Sequence, residues 1–225
     1  MAELIVFDAY GTLFDVAAAA RRAAAEPGQE RLAGTWPQLA AIWRDKQVGY
    51  SWWRTVVGAH APFWQVTEEA LDFALEATGL SGDDALRERL LALYRELDAY
   101  DEVPAMLDRL KQAGKRTAIL SNGSPDMLRA AVAHAGIGPA LDAVLSVETV
   151  GVFKPAGAVY GLVGQRFGTD RGEVLFVSAN GWDVAAAARY GFTAAWVNRD
   201  GAATERLPGR PAHVLPDLST LPGLA

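Results

Sequence analysis

Asp8 ends the apolar run Leu4-Ile5-Val6-Phe7, and Gly11 follows shortly after it. A run that short, bounded by turn chemistry, reads as a strand buried on both faces. Its tip carries a carboxylate facing the crevice where open α/β sheets bind ligands. A tight turn at Gly11 can bring backbone N–H groups round to one point. Three further segments place polar side chains at or just after apolar runs: Ser121-Asn122-Gly123-Ser124, Lys154-Pro155, and Ser178 to Asp183. Each alone reads as a turn or a helix cap. In a parallel sheet, however, such tips point the same way and meet in one crevice. There they assemble carboxylates, an ammonium, hydroxyls and amides, the parts of nucleophilic and acid–base chemistry.

The elements that must position these groups follow from the rhythm of the chain. From Val16 to about Asp98 the strand-like runs vanish. Helices are predicted over Ala17–Glu26, Trp36–Tyr50, Thr67–Thr78 (with Thr67 as N-cap) and Asp83–Leu97, where Leu86, Leu90, Leu93 and Leu97 keep a helical period. After Asp98 strands and helices alternate. Predicted strands are Thr117–Leu120, Ala143–Leu145, Val174–Val177, Ala194–Val197 and a weak edge strand His213–Leu215. Between them lie helices near Pro104–Ala113, Pro125–Ala135, Pro155–Phe167 and Trp182–Tyr190. The expected fold is α/β: a doubly wound, mostly parallel, Rossmann-like sheet core (1–15 and 99–225) with an inserted all-helical cap (16–98).

Bulk composition narrows the function classes. The chain has 225 residues, 51% hydrophobic, enough for one good core and a smaller module. A net charge of −6 without runs of one sign predicts no nucleic-acid partner. The absence of cysteine removes disulfides and thiolate metal sites. No apolar run approaches the ~20 residues of a membrane span, and the N-terminal strand does not read as a signal peptide. A cytoplasmic protein with no membrane partner is expected. Gly136-Ile137-Gly138 lacks the third glycine of a dinucleotide fingerprint, and no Gly-Lys-Ser/Thr phosphate loop occurs. His60, His134 and His213 fall in the helical segment, a helix and an edge strand, and are assigned no chemistry.

The order of the four motifs resembles that of the haloacid dehalogenase superfamily, and within it most closely the type II (S)-2-haloacid dehalogenases. The resemblance covers the whole chain. It rests on Phe7-Asp8-Ala9-Tyr10-Gly11-Thr12-Leu13-Phe14-Asp15, Trp43-Arg44-Asp45-Lys46-Gln47, Ile119-Leu120-Ser121-Asn122-Gly123-Ser124, Val152-Phe153-Lys154-Pro155 with Tyr160 following, and Phe176-Val177-Ser178-Ala179-Asn180-Gly181-Trp182-Asp183. Asp45 departs from the pattern, since family members often carry Gln there.

The resemblance implies a small-molecule haloacid substrate and no cofactor or metal. It implies catalytic roles for Asp8, Thr12, Arg44, Ser121, Lys154, Tyr160, Ser178, Asn180 and Asp183. Asp8 would attack the halogen-bearing carbon and form an ester, with Arg44 receiving the halide and Lys154 countering the charge of Asp8. Thr12, Ser121, Asn122 and nearby N–H groups would hold the substrate carboxylate inside walls made by Tyr10, Phe63 and Trp182. Asp183, with Ser178 and Asn180, would direct the water that opens the ester. Members are often dimers, which leaves a homodimer open. The alternatives are a metal-dependent phosphatase of the same superfamily and a defluorinating haloacetate dehalogenase. Against the phosphatase, Tyr10 stands where it would need a second aspartate as acid, and a halide leaves without a proton.

Overall fold

The structure, a computed structural model, describes residues 2–224. Six strands form one sheet: β1 (Leu4–Phe7), β2 (Arg116–Ser121), β3 (Ala143–Ser146), β4 (Val174–Ser178), β5 (Thr193–Val197) and β6 (His213–Leu215). Their order is β3-β2-β1-β4-β5-β6, and every pairing is parallel. Winding runs outward from β1 through β2 to β3, then crosses to the other side of β1 with β4. β1 therefore sits at the switch point, where the tips open a crevice. All four of its residues are fully buried, which explains why it reads as an unbroken apolar run. The register sets Phe7 beside Ile119 on β2 and Val177 on β4. Asp8 is thus level with the ends of both neighbours.

Between β1 and β2 lie six helices: α1 (Ala18–Ala24), α2 (Glu30–Ala33), α3 (Trp36–Val57), α4 (Phe63–Ala77), α5 (Asp84–Arg95) and α6 (Val103–Gln112). Helices α7 (Pro125–His134), α8 (Gly157–Phe167) and α9 (Gly181–Tyr190) alternate with the later strands. No strand of the sheet comes from residues 16–98. The chain leaves and re-enters the sheet layer side by side: the Asp15 N–H donates to the Asp98 carbonyl and the Tyr100 N–H to the Leu13 carbonyl, each at 3.0 Å. No helix among the described residues is long and apolar enough to cross a membrane.

Two predicted helix boundaries differ by more than two residues. α3 continues past Tyr50 to Val57, because nothing breaks it before Gly58, which caps it in the left-handed region at φ +69°. α4 starts at Phe63 rather than Thr67. Thr67 is not an N-cap. It is buried inside the helix, where its hydroxyl donates to the Phe63 carbonyl (2.8 Å) and accepts from Gln47 Nε2 (2.9 Å). Tyr94 donates in turn to Gln47 Oε1 at 3.2 Å, and Trp43 Nε1 donates to the Thr67 carbonyl at 2.9 Å. A polar seam thus runs between α3, α4 and α5 with its partners matched. The helix predicted from Asp83 does begin there: Asp83 caps α5, accepting from the Leu86 N–H at 2.9 Å.

Thr67→Val would leave the Gln47 amide without its acceptor in a dry seam. A loss of about 1–3 kcal/mol is expected, read by urea unfolding. An unchanged midpoint and slope would mean that the seam contributes nothing.

Candidate active site

Asp8 is 6% exposed. Its two oxygens have different surroundings. Oδ2 accepts from the Thr12 hydroxyl (3.0 Å), Asn180 Nδ2 (2.8 Å) and the Ser178 hydroxyl (3.4 Å). Oδ1 accepts from Lys154 Nζ at 3.1 Å. Gly11 takes φ +87°, and the turn it makes folds the Thr12, Leu13 and Phe14 N–H groups back onto the Ala9 carbonyl. Those three N–H groups converge on one point, the Ala9 carbonyl inside the loop. Thr12 differs from expectation. Its hydroxyl accepts from the Ala179 N–H (2.8 Å) while its one proton goes to Asp8 and not outward, so it ties the β1 tip to the β4 tip.

Lys154 is 1% exposed and Asp183 fully buried. The Lys154 ammonium bridges the two carboxylates, 3.1 Å from Asp8 Oδ1 and 2.7 Å from Asp183 Oδ2. Its backbone N–H donates to Asn122 Oδ1 at 2.9 Å. The Asn122 side chain therefore anchors the lysine segment as well as facing the cavity. Asp183 Oδ1 accepts from the Tyr160 hydroxyl at 2.6 Å. Burial alone lowers the affinity of the Lys154 amine for its proton, but Asp183 and Asp8 outweigh it, and its pKa lies above the usual lysine value. Burial raises the pKa of Asp183 and the charge of Asp8 adds to it, while Lys154 and Tyr160 oppose them; the net direction is up. Desolvation, then Asp183, holds the Tyr160 phenol protonated far above its usual range. Asn180 and Asp183 do not cap α9 with their side chains; both turn to the Asp8–Lys154 cluster.

Above Asp8 lies a cavity of about 10 Å³, on the order of one water molecule. Its polar lining is Asp8, Arg44, Ser51, Ser121, Asn122 and Lys154, and its apolar walls are Tyr10, Val48, Phe63 and Trp182. Asp8 is the only acidic residue among them. Arg44 Nη2 donates to the Tyr10 carbonyl (3.2 Å) and Asn180 Oδ1 (3.3 Å). The Ser121 hydroxyl accepts from the Gly123 N–H at 3.1 Å. Gly123 leaves room for the Tyr10 ring, since a Cβ there would lie 2.7 Å from Tyr10 Cε2. Tyr10 stacks on Tyr94 at 5.7 Å, and its buried hydroxyl has no hydrogen-bond partner among the described residues. Trp182 meets Trp52 edge to face at 5.4 Å.

Sequence reasoning missed several residues that hold this arrangement. Arg199, just past β5, donates to the carbonyls of Gly11 (3.3 Å) and Thr12 (3.1 Å) and to Glu102 (2.7 Å). Glu148, just past β3, reaches the first turn of α4. Both follow strand tips, and extending the tip rule to β3 and β5 would have found them. Val48 and Ser51 lie on the α3 face that carries Arg44, one and two turns on.

Comparison with known proteins agrees with this geometry. Residues 2–191 match the family model described as haloacid dehalogenase-like hydrolase. The chain is 43% identical to (S)-2-haloacid dehalogenase 1 of Pseudomonas sp. (strain CBS-3), over 97% of this chain and 94% of that enzyme. It belongs to the haloacid dehalogenase-like hydrolases. A dehalogenase crystal structure superposes with a TM-score of 0.94 at 39% identity, covering 100% of this chain and 97% of that one. The L-2-haloacid dehalogenase of Xanthobacter autotrophicus, solved with chloropropionic acid covalently bound, superposes with a TM-score of 0.89 at 38% identity, covering 100% and 98%. The dehalogenase fold thus extends over the whole described chain, strand tips included.

Lys154→Met should cost about 3–5 kcal/mol at pH 7.5, because it strands two buried carboxylates. Without the ammonium that opposes it, the burial-driven rise of the Asp183 pKa above the unfolded value of about 3.9 grows larger. The variant's native state then binds more protons than its unfolded state and gains stability on acidification. Urea unfolding at pH 7.5 and 5.5 should show the deficit shrinking at the lower pH. An equal deficit at both would contradict the bridging role.

Proposed function

We infer that this chain hydrolyses short (S)-2-haloalkanoic acids to (R)-2-hydroxyacids and halide through an ester on Asp8. The observation that carries this is a desolvated carboxylate lining a cavity that contains no second acid but does contain Arg44. That is a nucleophile without a general acid, suited to a leaving group that needs charge stabilisation and no proton. The curated relatives named (S)-2-haloacid dehalogenase, and the solved relative holding chloropropionic acid covalently, support the same chemistry.

The unequal surroundings of the Asp8 oxygens divide the work. Oδ1 is held only by Lys154 and is the attacking atom. It displaces the halide from carbon in line, and Arg44 receives the departing anion. Ser121 and Asn122 orient the substrate carboxylate, and Tyr10, Phe63 and Trp182 exclude water. Oδ2 becomes the ester carbonyl oxygen. When water attacks Cγ, negative charge develops on Oδ2, where Thr12, Asn180 and Ser178 already donate. Asp183 accepts the water proton. Both its oxygens hold a donor, but each keeps a further lone pair. The Cγ–Oδ1 bond then breaks and Oδ1 leaves with the product. Lys154, 3.1 Å away, protonates it and regains a proton from Asp183 at 2.7 Å. The second proton of the water leaves the rebuilt Asp8 carboxyl for solvent with the halide. Tyr160 keeps Asp183 in place.

Helices α1–α5, in residues 16–98, act as a cap domain over a core formed by 1–15 and 99–225. The cap supplies Arg44, Val48 and Phe63 to the cavity. No divalent cation enters the scheme. The two carboxylates that would ligate one are already bridged by an ammonium, and no group of three or more His, Asp or Glu side chains among the described residues is placed to hold a metal.

A single turnover with enzyme in excess in heavy-oxygen water tests the ester. Attack by Asp8 gives unlabelled hydroxyacid and puts the label into the peptide containing Asp8. Fully labelled product from that first turnover would exclude Asp8 as nucleophile. Halide release should also persist in EDTA; loss that magnesium restores would sink the metal-free scheme. Arg44→Lys should lose roughly a hundredfold in kcat/KM, since a point charge does not replace the planar fork, and wild-type rates in that variant would remove Arg44 from the halide site.

A further inference from the structure

The first turn of α4 begins at Phe63, and no side chain of its own segment caps it. Its leading N–H groups find partners across the crevice. The Phe63 N–H donates to Glu148 Oε1 at 3.1 Å, and the Trp64 N–H donates to the Ser124 hydroxyl at 3.2 Å. Ser124 donates in turn to the same Glu148 oxygen in a short hydrogen bond. Ser124 follows β2 and Glu148 follows β3. One carboxylate of the core thus gathers the start of a cap helix, where negative charge also complements the helix dipole. On the other side of β1, past β5, Arg199 grips the Gly11 and Thr12 carbonyls beside the paired chain crossings at Leu13–Asp15 and Asp98–Tyr100. The covalent crossings and the Glu148 contact therefore flank Asp8 from opposite sides.

Phe63 is itself a wall of the reaction cavity, packing 6.1 Å from the Tyr10 ring and 5.9 Å from the Phe153 ring between centroids. That cavity holds about one water. A haloacid is several times larger, so substrate enters only when a wall moves away. Phe63 stands on the wall away from the crossings, and the Glu148 contact fastens that wall to the core.

We propose that Glu148 is a positioning residue: its carboxylate clasps the first turn of α4 to the core, seating Phe63 so that the cavity closes tightly around short haloacids. This deepens the dehalogenase reading and rests on it for its kinetic consequence, though not for the clasp. Losing the clasp leaves Phe63 loosely placed. Short acids then lose their tight fit, while longer acids gain room.

The test compares the full-length wild type with Glu148→Ala and Glu148→Gln. Amide exchange is measured for the peptide beginning at Phe63. Halide release is measured with 2-chloropropionate and with 2-bromohexanoate. In Glu148→Ala, exchange at the start of α4 should rise on the order of tenfold while β1 and β2 stay protected. On 2-chloropropionate kcat should fall on the order of ten- to a hundredfold, and the long-to-short ratio of kcat/KM should rise. Glu148→Gln keeps an oxygen for the Phe63 N–H and should restore most of the short-acid rate. Unchanged exchange in Glu148→Ala overturns the clasp. Faster exchange with both acids slowed by one common factor overturns the seating of Phe63. Should Glu148→Ala fail to fold, Ser124→Ala is measured in its place against the same criteria. If wild type releases no halide, the dehalogenase reading falls, and the exchange data still decide the clasp.

Discussion

The structure depends on one buried ammonium. Lys154 Nζ lies between Asp8 and Asp183, with all three side chains almost wholly out of water. Burying any one of these charges alone would cost on the order of several kcal/mol. Together they leave a single net negative charge, distributed among further donors: Thr12, Ser178 and Asn180 on Asp8, and Tyr160 on Asp183. The arrangement also constrains the fold. The three charged residues come from the tip of β1, the segment before α8, and the first turn of α9. They meet only if β1 and β4 are neighbours in register and Asn122 holds the backbone of Lys154. Sheet order and charge balance are therefore one requirement.

The helical layer acts on the same cluster. With α3 and α4 in place, the space over Asp8 is about one water. In that low-dielectric site each fixed donor counts for more than it would in water. The helical layer thus does more than cover the sheet. It brings Arg44 against the β1 and β4 tips and sets Phe63 and Val48 as walls. Its own polar interior, the Thr67–Gln47–Tyr94 chain, keeps α3 and α4 in a fixed relation, so that Arg44 and Phe63 arrive together.

What was legible in the sequence was what depends on local pattern. The run Leu4–Phe7 read as a buried strand because both its faces are covered. The tips of β2 and β4, and the lysine segment between them, stood out as polar groups at the ends of apolar runs. The leucine period from Leu86 marked α5, and Asp83 caps its start. Apart from the end of α3, which runs on to Gly58, the misses share one cause: groups satisfied by partners distant in sequence. Thr67 looked like an N-cap because threonine at a helix start usually is one. The real start, at Phe63, carries no local signal, since Glu148 and Ser124 answer its N–H groups from across the crevice. Thr12 looked like a ligand-facing hydroxyl, but Ala179 and Asp8 engage it. Arg199 was invisible because its partners are backbone carbonyls of a loop far earlier in the chain.

The asymmetry of the Asp8 carboxylate ties these threads together. A free carboxylate has two equivalent oxygens, and here they differ. Three neutral donors from the β1 and β4 loops converge on Oδ2, and one cation touches Oδ1. Neutral donors hold an oxygen in place and answer charge that develops on it later. A cation keeps a negative oxygen ionised and lies ready to give a proton when that oxygen leaves. A two-step displacement needs both properties, on different atoms of the same group. Thr12 is the residue that enforces the difference. Its hydroxyl donates to Oδ2 while the Ala179 N–H fixes its position, so the carboxylate cannot rotate without breaking the tie between the two strand tips. The correction to Thr12's role therefore does not remove it from the chemistry. Under the proposed ester route, Thr12 serves not to hold substrate but to fix which oxygen of Asp8 is left to attack.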